Sequence, residues 1–166
     1  MFRKLTGALG FAALLAVSSQ ASAQMWTAVA STGAIEDGSQ NTYYASSSSL
    51  AFRAGATGTV AANYNVTNPR DTSGSPSWTT MEFTARNPVG SPSTSAQAIL
   101  YRAPRGTNSA ASSVCIASAP VATVSTTTCT FSSSMIDFNN YRYFVRVVLG
   151  RDSTANVVAA YEIRIF

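Results

Sequence analysis

Period-two alternation of apolar and polar residues recurs along the chain, and the 3.6-residue period of an amphipathic helix does not, so the pattern predicts a β protein. Over Thr59 to Thr67, Val60, Ala62, Tyr64 and Val66 fall on one side, with Ala61, Asn63, Asn65 and Thr67 on the other. Trp78 to Arg86 repeats the alternation, setting Met81, Phe83 and Ala85 against Thr80, Glu82 and Thr84. Each reads as a strand with one face in the core. Shorter strands are expected over Ala98 to Arg102, Ser113 to Ser118 and Thr127 to Ser132, with Ile99, Tyr101, Val114, Ile116 and Phe131 as core candidates.

The strongest strand signals come last, in Tyr141 to Leu149 and Val157 to Phe166, where β-branched and aromatic residues dominate. Gly150-Arg151-Asp152-Ser153 reads as the turn of an antiparallel pair. In the first strand Tyr141, Tyr143, Val145, Val147 and Leu149 share a face. In the second, Val157, Ala159, Tyr161, Ile163 and Ile165 oppose Glu162 and Arg164. That arrangement predicts an ion pair between Glu162 and either Arg142 or Arg146 across the solvent face.

Clusters of Gly, Pro, Ser and Asn at Ile35 to Ser39, Asn68 to Pro76, Asn87 to Ser95 and Pro104 to Asn108 separate these segments and read as loops. About eight or nine short strands punctuated this way predict an all-β fold, an antiparallel sandwich of the jelly-roll kind. No internal repeat is present.

The first residues have a different pattern. Phe2-Arg3-Lys4 precedes an apolar run from Ala8 to Val17, and Ala21-Ser22-Ala23 supplies small residues at the spacing that signal peptidase cuts. Residues 1–23 are therefore expected to be a cleaved secretory signal, with residues 24–166 a single domain in the periplasm or outside the cell. No transmembrane span is expected, because a spanning helix needs ~20 apolar residues.

Removing the leader also removes the only lysine, Lys4, and leaves nine arginines against seven acids, a net charge of about +2. The arginines are scattered, without the stripe that phosphate binding requires, so nucleic acid is not an expected partner. Ser, Thr and Asn crowd the rest, giving a neutral, hydrogen-bonding surface. The only cysteines, Cys115 and Cys129, have thirteen residues between them. In an oxidising compartment they are expected to form a disulfide, whose closure contributes ~3 kcal/mol in the chain-entropy treatment. The C-x-x-C spacing of a redox-active pair is absent.

The block Asp137-Phe138-Asn139-Asn140-Tyr141-Arg142-Tyr143-Phe144-Val145-Arg146-Val147, followed by a loop and a terminal strand, resembles the end of small exported bacterial β-proteins with no assigned activity. The resemblance covers about thirty residues. It implies a shared sandwich and no particular chemistry.

The chain contains no histidine, which removes the commonest general base, metal ligand and activator of serine or cysteine nucleophiles. Only carboxylate chemistry remains, and Glu36, Asp37, Asp71, Glu82, Asp137, Asp152 and Glu162 mostly fall in loops or on solvent faces. No enzyme activity and no catalytic residue is expected. Glu36-Asp37-Gly38-Ser39-Gln40-Asn41 offers hard-cation donors in a tight turn, but without the alternating ligands of an EF-hand, so it reads as a plain Asp-Gly turn. No metal and no cofactor is expected.

Aromatic residues near loops and strand starts are the better functional handle. Trp26, Tyr43, Tyr44 and Trp78 are candidates to stack on sugar rings if exposed, and otherwise close the ends of the core. The leading expectation is a non-enzymatic exported component of surface, matrix or filament that works by contact with another exported protein. A subunit completed by a neighbour's strand is one form of it. The first alternative is a carbohydrate-binding module whose partner is a polysaccharide. The second is a small outer-membrane barrel; against it, stepping back by two from Phe166 meets Arg164 and Glu162 on the row that would face lipid.

Overall fold

A computed structural model describes residues 24–69, 74–87, 94–120 and 122–166. The predicted leader lies outside the described residues. Those residues form eleven strands: β1 (Trp26–Val29), β2 (Ala34–Ile35), β3 (Tyr43–Ala45), β4 (Leu50–Phe52), β5 (Gly58–Val66), β6 (Thr80–Arg86), β7 (Ser95–Pro104), β8 (Ser112–Ser118), β9 (Ser125–Thr130), β10 (Tyr141–Arg151) and β11 (Ala159–Ile165). Three short 3-10 turns occur, one at Asp37–Ser39. The seven strands predicted from alternation, β5 to β11, are all present. The four extra ones precede Gly58 and are two to four residues long, too short to display a period.

All the strand pairings are antiparallel, and the strands divide into two sheets. Sheet A runs β3-β4-β11-β6-β9, with β1 also bonded to β11; sheet B runs β2-β5-β10-β7-β8. Each has free edges, β3 and β9 in one and β2 and β8 in the other, so the strands stack as a sandwich and do not close into a barrel. Between the sheets lies a dry core. Leu50, Trp78, Met81, Phe83, Leu100, Val145, Val147, Leu149, Ile163 and Ile165 are all fully buried. Each such aliphatic or aromatic side chain contributes about 1.5–3 kcal/mol by leaving water.

The expected pairing of the last two strands is not what forms. β10 lies between β5 and β7 in sheet B, while β11 lies in sheet A. Their connection crosses from one layer to the other, and Arg151 ties it down. The Arg151 guanidinium donates to the carbonyls of Arg53, Ala56 and Asn156 and lies 4.7 Å over the Phe52 ring. Glu162 accordingly faces Val29 and Thr84, and the predicted ion pair with Arg142 or Arg146 is replaced by Arg146–Glu36 and Arg164–Glu82.

β11 corrects a second expectation. A bulge between Ala160 and Glu162 shifts the register, so Val158 and Ala160 point inward before it and Ile163 and Ile165 after it. A single alternating row through Val157 does not exist, and Val157 is exposed. An extra residue in one strand reverses the faces downstream of it.

The cysteines pair as expected. Cys115 lies in β8 and Cys129 in β9, so the bond joins the edge of sheet B to the edge of sheet A and closes that flank of the sandwich. Among the described residues no helix is long and apolar enough to cross a membrane. The disulfide fits an exported protein.

Candidate functional site

The opposite flank is open. There β1 of sheet A stands across from β5 of sheet B, and a groove of about 550 Å³ separates them. Its walls carry Trp26, Thr27, Thr32, Asn63, Tyr64 and Asn65, and none of its lining residues is charged. The Tyr64 hydroxyl donates to the Ala30 carbonyl, and burial raises its pKa well above the usual tyrosine value. Gly33 sits directly against this ring: a β-carbon there would lie 2.5 Å from it. The Ala30–Thr32 turn is thereby held close over Tyr64 and fixes one rim of the groove.

β2 covers only Ala62 and Asn63 of β5. Backbone groups of alternate residues point to the same edge of a strand. Ala61 directs its N–H to the Ser39 hydroxyl and its carbonyl to the Glu36 N–H on that edge. Asn65 follows the same parity, but β2 ends before reaching it. Asn65 is exposed and lines the groove.

Asn65 also belongs to the outer face of sheet B, where the registers define rows across the strands. The first row is Asn65, Phe144, Tyr101 and Ser113; the second is Asn63, Arg146, Ile99 and Ile116; the third is Ala61, Val148, Gln97 and Ser118. Phe144 and Tyr101 stack, with centroids 5.1 Å apart and planes 15° from parallel. Ile116 is 51% exposed.

In β7 the bulky Ile99 and Tyr101 point outward, while the buried row is Ala96, Ala98 and Leu100. That reverses the expectation that Ile99, Tyr101 and Ile116 lie in the core. Val114 and Phe131 do pack against it, partly buried. Small side chains fit inside because Met81 and Phe83 of the facing sheet fill the layer. Ile99 and Tyr101 face outward, where none of the described elements covers them fully.

One ion pair crosses this face. Glu36 reaches over from the segment after β2, and Arg146 grips it with two bonds, Nε to Oε1 and Nη2 to Oε2, each 2.7 Å. Asn63 donates a third bond to Oε1 at 3.1 Å. Arg146's hydrogen bonds hold the Glu36 carboxyl below its usual pKa, helped by Asn63 and opposed by burial. In turn Arg146's own pKa is raised, first by Glu36 and to a lesser degree by Tyr101. The Asp-Gly turn that could have offered cation donors has its buried Ser39 engaged with Ala61, and Glu36 is fully engaged with Arg146 and Asn63.

The four aromatic candidates separate. Trp78 is fully buried; its indole N–H donates to the Gln24 carbonyl and its ring meets Phe138 edge-on at 5.9 Å. It closes one end of the core and presents no face to a ligand. Tyr43 packs half-buried against the core. Tyr44 is 57% exposed, but points from the outer side of β3 in sheet A. Trp26 alone lines the groove. Tyr101, Phe144, Asn65 and the Arg146–Glu36 pair were not expected as site residues. No size pattern in β7 gives them away, since the large Leu100 shares the buried parity with Ala96 and Ala98.

No protein-family model and no curated protein matches the sequence. Among solved structures the chain is similar to the xylan-binding module CBM15, at 16% identity and a TM-score of 0.48, covering 86% of this chain and 95% of that one.

Proposed function

We propose that this protein is an exported, non-catalytic binding domain that holds an uncharged polysaccharide along the groove and the adjoining outer face of sheet B. The observation that carries the reading is the inverted strand β7, which spends alanines on the core and turns Ile99 and Tyr101 outward beside Phe144 and Ile116. Ile116 is exposed and Ile99, Tyr101 and Phe144 are half-buried beside it, and outward-facing apolar side chains grouped in this way suit a contact surface. Asn63, Asn65 and Thr32 line the groove beside Trp26, and Asn65 heads the row of Phe144 and Tyr101, a mixture suited to sugars, which present apolar C–H faces and many hydroxyls. The central charge is closed on itself through Glu36. Affinity electrophoresis through gels containing neutral linear polysaccharides tests this: retardation by at least one, lost in Trp26→Ala and in Tyr101→Ala, is expected. Free migration through all of them refutes it.

A second reading is favoured by the groove's walls, since among the described residues no strand pairs with the groove side of β1 or with the end of β5. Strand addition by another exported protein would complete both sheets. Filaments of the purified protein under the electron microscope would support this reading; a monomer that does not polymerise speaks against it.

A further inference from the structure

The grip of Glu36 on Arg146 has a consequence for selectivity. Arg146 occupies the middle of the second row, between Asn63 and Ile99, within reach of anything that lies on the Tyr101–Phe144 pair. Its side chain is 38% exposed and that of Glu36 is 33% exposed, so both lie at the surface a ligand would touch. A free guanidinium there would be a two-pronged site for a carboxylate or sulfate. The protein already fills that site with its own carboxylate, delivered from a separate segment and braced by Asn63. Resting on the polysaccharide reading of this face, we infer that Glu36 is a specificity-determining residue: it occupies the Arg146 fork and so bars acidic polysaccharides from the face.

Exposed Arg142 lies farther along β10 and is the same in every variant below, so it cancels in the comparison. The test measures binding of the wild-type protein, Glu36→Gln, Glu36→Ala and Glu36→Gln/Arg146→Gln to two probes, a neutral xylan and polygalacturonate. Melting curves confirm that each variant is folded. Freeing one charged hydrogen-bonding fork is expected to strengthen polygalacturonate binding by about tenfold or more in both single variants. The double variant is expected to return to the wild-type value. If neither folded single variant gains, or if the double variant keeps the gain, Glu36 is not the bar. Wild-type binding to xylan and other neutral polymers reports separately on the function proposed above, because the change in polygalacturonate binding can be read whether or not they bind.

Discussion

Outside β6 and β11, Glu82 meets Arg164 at 3.1 Å and Thr84 bonds Thr126 at 2.8 Å, whereas outside β7 and β10 Tyr101 stacks on Phe144 beside Ile99 and the exposed Ile116. The rows on sheet A are Thr27, Arg164, Glu82 and Thr128, then Val29, Glu162, Thr84 and Thr126. Their polar groups largely serve one another and water. On sheet B the polar groups frame an apolar centre. Both faces cover the same core. The sheet A face also exposes Val29 and Tyr44, but apart from one another, whereas the apolar side chains of sheet B are grouped, and that grouping is where the proposed ligand is assigned.

The sharpest test of this contrast lies within a single strand. Leu100→Ala removes a fully buried side chain and is expected to cost about 2–5 kcal/mol of stability with cavity formation. Its neighbour Ile99 faces outward, so Ile99→Ala is expected to cost about 1 kcal/mol or less and to weaken ligand binding instead. Urea unfolding and a binding titration on both variants read the two effects; equal losses of stability would erase the distinction.

Next in size is the disulfide, which bridges the sheets at the flank opposite the groove. Replacing both Cys115 and Cys129 by Ser is expected to lower stability by about 3 kcal/mol. Thermal unfolding with and without the bond measures this. Gly33→Ala then forces a methyl against the Tyr64 ring and is expected to cost about 1–3 kcal/mol while narrowing the groove. A variant as stable as the parent would show that the Ala30–Thr32 turn moves aside freely.

The smallest effects are electrostatic. Glu82→Gln on sheet A breaks a partly exposed pair, with an expected cost below about 1 kcal/mol and unchanged ligand binding. Glu36 carries the sign of a carboxylate whose folded pKa is lowered. Its contribution is complete above its unfolded pKa of about 4.3 and is lost as pH falls through the lower folded value. Asp137, bonded by Asn140, has the same direction. Acid unfolding of Glu36→Gln should therefore show a weaker pH dependence than the parent below about pH 4.

Alternation made β5, β6 and β10 legible, because each holds a strict parity against a single core. It could not reveal which strands pair: β10 and β11 adjoin in sequence yet stand in different layers, with Arg151 bonding both the crossing loop at Asn156 and the β4–β5 connection at Arg53 and Ala56. Nor could it show the bulge at Tyr161, since one inserted residue changes no local preference. β7 defeats the pattern because apolar residues run through both parities, Ile99 and Tyr101 on one and Leu100 on the other, so alternation does not say which faces the core. Position near a strand start marks Trp26 and Trp78 alike, yet Trp78 is fully buried and Trp26 packs half-buried at the groove. The Arg146–Glu36 fork spans 110 residues of sequence, a distance over which no local pattern carries information.

Amide chemical shifts recorded while a neutral linear oligosaccharide is titrated into the ¹⁵N-labelled protein test the assignment of the binding face most directly. The expected result is movement at Asn65, Tyr101, Phe144 and Ile99, spreading to Thr27 and Trp26 across the groove. Shifts confined to Thr84, Thr126 and Thr128 on sheet A, or none at saturating concentrations of any neutral glycan, would contradict it.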